Sequence, residues 1–206
     1  MPVIVVANPK GGVGKSTLCT NLAGWLARQG PGRQVMLGDL DRQHSSRLWL
    51  GLRPAALPAI RSWEADGDAL RLPKGTTDAV IDTPAGLHGK RLELALKLAD
   101  RLLIPLQPSP FDIAATHGFI QQLRAHKRGA SLKLALVAMR VKEHTHATEH
   151  LHEWLDALQL PVLTHLRDTQ NYVHLAARGL TLWDVAPTRV ERDLAQWQPI
   201  TDWLKS

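Results

Sequence analysis

The chain has 206 residues, of which 44% are hydrophobic and 21% charged, with a net charge of +6. That length suits one domain with a full core and is too short for two, so residues 1–206 read as a single domain, and the basic balance favours an anionic partner such as nucleic acid. The lone Cys19 excludes an intramolecular disulfide, no run approaches the ~18 apolar residues that span a membrane, and the N-terminus carries no basic-then-apolar leader, so a cytoplasmic protein is expected.

In chain order, Val3-Ile4-Val5-Val6-Ala7 reads as a buried parallel strand, because it is uncharged and rich in β-branched residues. Leu18, Leu22, Trp25 and Leu26 then recur at helical spacing. Between strand and helix lies Asn8-Pro9-Lys10-Gly11-Gly12-Val13-Gly14-Lys15-Ser16-Thr17. Its three glycines let successive backbone N–H groups turn inward around an anion, and the helix N-terminus adds partial positive charge. Lys15 can reach the terminal phosphates of a nucleotide, and Ser16 offers a hydroxyl to Mg²⁺. The usual phosphate loop opens on glycine; here Pro9 holds that place and a second lysine, Lys10, follows it.

Gln34 to Gly38 reads as a second strand that runs into Asp39-Leu40-Asp41, with acids where open α/β sheets bind ligands. On an extended strand end Asp39 and Asp41 point the same way, one available to metal and one to water. A short helix is expected over Ser45–Leu50, then loops to Gly75 with one weak edge strand. Asp78–Asp82 is the next strand, closed by Thr83-Pro84-Ala85-Gly86, and Asp82 stands where an acid would hold Mg²⁺. A helix over Leu87–Leu98 turns Leu92, Leu96 and Ala99 inward, and Arg101–Leu106 is a buried strand. Ser109, Pro110 and Asp112 form a helix start in which serine caps, proline takes the first turn and aspartate completes the cap; the helix runs to about His126.

Leu132–Met139 follows as a strand, Thr145–Leu158 as a helix, Pro161–Leu163 as a short strand and Tyr172–Arg178 as a short helix. A terminal helix spans Thr188–Leu204 with a break at Pro199. This alternation predicts an α/β fold, a mostly parallel twisted sheet with helices on both faces. His146 and His150 formally match an inverted zinc-protease pattern, but histidines four apart on a helix surface are ordinary and no downstream acid completes the site, so Mg²⁺ is the only metal expected. Trp25, Trp49, Trp154 and Trp183 fall on apolar faces and read as core.

Lys10-Gly11-Gly12-Val13-Gly14-Lys15-Ser16-Thr17 resembles the deviant Walker A motif of the ParA and MinD superfamily of P-loop NTPases. The resemblance implies that Lys10 reaches the nucleotide of a partner subunit. Asp39-Leu40-Asp41-Arg42-Gln43 resembles that family's Asp-x-Asp-Pro-Gln segment, in which the second aspartate positions the attacking water, with Arg42 in place of the usual proline. Asp82 matches the Walker B acid, and Gln107–Asp112 is similar to the Pro-Ser-Pro-x-Asp stretch that lies near the subunit interface in the short ParF-type partition ATPases. Nitrogenase iron protein and iron–sulfur carriers share the loop but need paired cysteines.

The resemblance as a whole is to a short ParA-type ATPase without the N-terminal helix-turn-helix of the longer class. It implies two subunits closing on two Mg·ATP, DNA binding without sequence preference, a nucleoid-associated location, and a centromere-binding or cargo adaptor protein that stimulates hydrolysis. The implied roles are Lys10, Lys15 and Asp41 in catalysis, Lys10 to Thr17 (Lys10, Gly11, Gly12, Val13, Gly14, Lys15, Ser16, Thr17) in nucleotide binding, and Ser16, Asp39 and Asp82 around Mg²⁺. Arg167, Arg178 and Arg189 are candidate DNA contacts by the family's use of basic residues in the C-terminal third. Two alternatives stay open: a MinD-like membrane-positioning ATPase, and an ATP-dependent ligase of the dethiobiotin synthetase type. Against a membrane anchor, Glu191, Asp193 and Asp202 dilute the basic face of the last helix.

Overall fold

The computed structural model describes residues 2–41, 43–63, 71–129, 131–142, 145–158 and 160–206. Seven strands form one sheet: β1 (Val3–Val6), β2 (Val35–Asp39), β3 (Ile60–Trp63), β4 (Asp78–Asp82), β5 (Arg101–Leu106), β6 (Lys133–Val141) and β7 (Val162–Arg167). Their order is β3-β2-β4-β1-β5-β6-β7, and every described pairing is parallel. Parallel neighbours need crossovers, and five helices lie within them, α1 (Lys15–Ala27), α2 (Ser45–Leu52), α3 (Gly89–Leu98), α4 (Pro110–Ala125) and α5 (His146–Ala157), while α6 (Asn171–Ala176) and α7 (Glu191–Lys205) follow the last strand.

The apolar run at β1 is continuous because both of its faces are covered. Val3 and Val5 join a core that includes Leu92 and Leu96 of α3, Phe119 of α4 and Leu151 of α5. Ile4 and Val6 join a core built by Leu18 and Leu22 of α1, Trp49 of α2 and Trp197 of α7. The chain winds outward from β1 through β2 to β3, returns at β4, and then crosses to β5 on the other side of β1. Such a reversal opens a crevice at the carboxyl ends of the strands. Register brings the ends level, with Val6 opposite Asp82 and Asp82 opposite Asp39.

Beside α1 a 3₁₀ turn at Leu182–Asp184 fits closely, because a Cβ on Gly24 would lie 2.5 Å from the Thr181 side chain. The carboxylate of Asp184 is fully buried there and accepts from Arg53 at 2.8 Å and Arg28 at 3.0 Å, tying the ends of α1 and α2 to the C-terminal third.

Several boundaries differ from the sequence reading. The last helix starts at Glu191, after a 3₁₀ turn at Pro187–Arg189, and runs unbroken through Pro199. One missing backbone donor is outweighed by burial of Trp197, Ile200, Thr201 and Leu204 on that helix. Ser109 precedes α4 as expected, but its hydroxyl makes no capping bond; Pro110 opens the helix and Asp112 lies in its first turn, where its charge suits the dipole. Strand β6 extends to Val141 through a bulge at which Arg140 adopts φ 52°, β7 reaches Arg167, and α6 is shorter than expected. The edge strand within the aperiodic region is β3; residues 64–70 lie outside the described residues.

Candidate nucleotide site

The loop after β1 is held from three sides. Asn8, fully buried, donates from Nδ2 to the Pro105 carbonyl and to Thr116 Oγ1, both at 2.8 Å, and accepts the Lys10 N–H at 2.9 Å. Gly86 N–H donates to the Pro9 carbonyl at 2.8 Å, and Gln107 Nε2 to the Gly12 carbonyl at 2.6 Å. Gly14 enters α1 with φ 98°, where a side chain would be strained, and a Cβ would lie 2.6 Å from Met139. The Lys15 ammonium folds under the loop and donates to the carbonyls of Lys10 (2.7 Å) and Asn8 (3.1 Å). Burial lowers its pKa from the ordinary lysine value, while the charges of Asp82 and Asp41 oppose the shift. Lys10 is half-buried, and its ammonium makes no ion pair or hydrogen bond among the described residues.

The three predicted acids have separate settings. Asp39 ends β2, and its carboxylate accepts the Asp41 N–H at Oδ1 and the Arg47 N–H at Oδ2, each at 3.0 Å. It therefore does for α2 what a capping side chain does, satisfying the third N–H of that helix. Asp41 lies beyond the strand and accepts the Gln43 N–H at 3.0 Å. The expectation that Asp39 and Asp41 point the same way is corrected here: the strand ends at Asp39, the chain turns, and of the two only Asp41 lines the cleft. Arg42, between Asp41 and Gln43, lies outside the described residues. Asp82 is 1% exposed, and its Oδ2 accepts the Ser46 hydroxyl at 2.5 Å. Its Oδ1 has no hydrogen-bond partner; the Ser16 hydroxyl is close enough to favour the charged form without completing a bond. Burial raises the carboxyl to about 6, with Ser46, Ser16 and Lys15 pulling it down and Asp39 pushing it up.

These elements border a cleft of about 640 Å³. Gly11 to Thr17 form one wall, except that Val13 turns into the core; Asp41, Gln43 and Ser45 form the floor. The far wall, Met139, Arg140, residues 167–170, Tyr172 and Val173, is not legible as part of a nucleotide cleft in the sequence, because nothing in the spacing places the β6 bulge and the β7–α6 turn beside the loop. A second cleft of about 520 Å³ shares Asp41 and continues past Pro84 and Gly86 to Lys90 and Arg91.

An orphaned buried carboxylate oxygen beside a serine hydroxyl fits a hydrated Mg²⁺, and a glycine turn leading into a helix N-terminus with a buried lysine fits phosphates. The other predicted residues are scattered. Arg167 lines the cleft and pairs with buried Asp193 at 2.6 Å, whereas Arg178 and Arg189 are exposed. His146 and His150 are solvent-facing and lie beside Glu149 and Glu153. Trp25 and Trp49 are buried, and Trp154 and Trp183 are partly buried against the two cores.

Residues 4–182 match the sequence profile of the CobQ/CobB/MinD/ParA nucleotide binding domain. The chain is 30% identical over 190 residues to the maintenance of carboxysome distribution protein A of Halothiobacillus neapolitanus, covering 88% of this chain and 87% of that protein. The same-named protein of Gloeobacter kilaueensis is 37% identical over 115 residues, a match that spans 54% of this chain and about half (52%) of the relative. In fold, a plasmid partition protein of Borrelia burgdorferi solved with AMPPNP superposes with a TM-score of 0.74 at 18% identity, covering 98% of each chain.

Proposed function

Because this chain belongs to the CobQ/CobB/MinD/ParA nucleotide-binding family and is an ATPase of the ParA/MinD type, we propose that it uses Mg·ATP to position a cargo, cycling between an ATP-bound dimer held on DNA and a released ADP form. The observation that carries the site is the phosphate loop with Lys15 and Ser16 at its helical end, facing Asp41 across one cleft and backed by the unpaired Oδ1 of Asp82.

In this reading Lys15 leaves its two loop carbonyls for the β and γ phosphates, and the N–H groups of Gly11 to Ser16 surround the anion. Ser16 would ligate Mg²⁺ directly and Asp82 would hold one of its waters, with Asp39 supporting the site through α2. A metal held there would supply charge neutralisation for the phosphates. Asp41 orients the attacking water, a role that needs alignment more than basicity. Lys10, exposed enough to leave its own loop, adds charge to the nucleotide of a second subunit.

One observation favours DNA over a membrane as the surface. The apolar side of α7, which a MinD-like anchor would insert in lipid, is packed on the sheet, with Trp197 and Ile200 fully buried. Exposed Arg178 and Arg189 are the candidate phosphate contacts. No helix among the described residues is long and apolar enough to cross a membrane. Lys10 argues against a ligase of the dethiobiotin synthetase type, which has no use for a cation aimed at a second nucleotide.

The test is Lys10→Ala. ATP affinity of the monomer stays near wild type, because Lys15, Ser16 and the loop backbone remain. Dimerisation with a non-hydrolysable ATP analogue, followed by light scattering, is lost together with salt-sensitive DNA binding. A variant that dimerises and binds DNA normally refutes the role of Lys10 across the interface, and wild-type sedimentation with liposomes instead of DNA refutes the choice of surface.

A further inference from the structure

Because Asp39 pairs with Asp82 in register, their side chains leave the sheet on one face, the face that Leu37 and Val80 share with α1 and α2. Two neighbouring carboxylates, one buried and one partly buried, need partners. The first turn of α2 supplies one to each: the Arg47 N–H to Asp39 Oδ2 at 3.0 Å, and the Ser46 hydroxyl to Asp82 Oδ2 at 2.5 Å. Within α2 Ser46 and Trp49 are buried and Leu50 packs against the same core, so the one polar side chain fully enclosed on its docking face is Ser46. Ser46 has no accessible surface at all. A serine in that place, where alanine would serve packing and helix propensity better, needs a reason beyond filling space.

Resting on the magnesium-ATPase reading above, we propose that Ser46 is a positioning residue for the metal site. It anchors Oδ2 of Asp82 so that the unpaired Oδ1 is the oxygen left for the metal site, and it thereby fastens α2 to the state of that site. A carboxylate held at one oxygen offers the other in a fixed direction, whereas a free one rotates and its metal-bound water loses orientation. The same bond makes α2 the element that senses loading, since any group that Oδ1 accepts from would turn the carboxylate whose Oδ2 is tied to Ser46. The loop that carries Asp41 leads directly into that helix.

The experiment titrates the full chain with a fluorescent ATP analogue, in EDTA and across a magnesium series, for wild type, Ser46→Ala and Ser46→Thr. With EDTA the three affinities agree. Magnesium tightens wild type and Ser46→Thr, while Ser46→Ala needs about tenfold more magnesium for the same tightening, the scale on which outer-shell partners act. Amide exchange over residues 45–52 slows on adding magnesium to wild type with nucleotide and does not in Ser46→Ala. Ser46→Cys, similar in size and a poor donor, behaves as alanine and carries the test if the alanine variant does not fold. A magnesium dependence equal to wild type in both variants overturns the inference, as does an equal loss of affinity with and without magnesium, which would mark a packing role. A wild type whose affinity ignores magnesium overturns the ATPase reading itself and this inference with it.

Discussion

Asp82→Asn separates the cost of the metal site from its use. The carboxyl of Asp82 titrates at about 6 in the folded chain against 3.8 as the ordinary value, chiefly through burial. Two units correspond to roughly 3 kcal/mol of unfavourable free energy for holding the charge at neutral pH. Between about pH 4 and 6 the folded state binds more protons at this residue than the unfolded state. The contribution of Asp82 to stability therefore falls as pH rises through that window and stays low above it. An asparagine keeps an acceptor for the Ser46 hydroxyl and turns the unpaired oxygen into a group able to donate to Ser16. In EDTA at pH 8, urea denaturation should show Asp82→Asn more stable than wild type by about 1–3 kcal/mol, the upper end being the full charge cost. The gap should close as the pH falls toward 4. With saturating Mg·ATP the order reverses, because wild type gains about 3 kcal/mol at a ligand concentration a hundredfold above Kd and the variant gains less. A variant less stable than wild type at pH 8 in EDTA refutes the reasoning, since it would mean the buried charge is favourable in place.

Lys15→Ala removes the cation that faces the phosphates, and calorimetric titration should show ATP binding lost; unchanged affinity in a folded variant sinks the phosphate-loop assignment. Asp41→Ala should bind ATP and dimerise but hydrolyse poorly, which single-turnover kinetics would show as a slow chemical step with intact nucleotide affinity. Asp184→Ala should cost about 3–5 kcal/mol in denaturant unfolding, because Arg53, itself buried, loses its partner; a cost below 1 kcal/mol contradicts the strut. Burial alone would raise the Asp184 pKa, but hydrogen bonds from Arg53 and Thr181 bring it below the ordinary value, so its contribution is complete above the usual carboxylate range and fades as pH falls below it.

The uncharged run before Asn8, the glycine turn and the lysine and serine behind it are local features, and local sequence determined them: an apolar strand followed by Gly11, Gly12 and Gly14 has few other conformations to adopt. The parallel sheet was legible for a similar reason, since apolar strands alternating with amphipathic helices pack in few ways. What only the tertiary structure decided is how distant residues meet. Asn8 as the staple between loop, β5 and α4 depends on contacts about a hundred residues apart. So do the wall at residues 167–170, Tyr172 and Val173 and the junction of Arg28, Arg53 and Asp184. Pro199 shows the same division: its missing donor is a local cost that predicts a break, and burial of Trp197, Ile200 and Leu204 keeps the helix whole. Asp39 and Ser46 show it at the site, because the carboxylate that sequence reading aims at metal also holds a helix N–H, and the Ser46 hydroxyl donates to Asp82. Both outcomes follow from the level register of β2 with β4, which places two carboxylates side by side under the first turn of α2, and that register is set by the packing of the whole sheet.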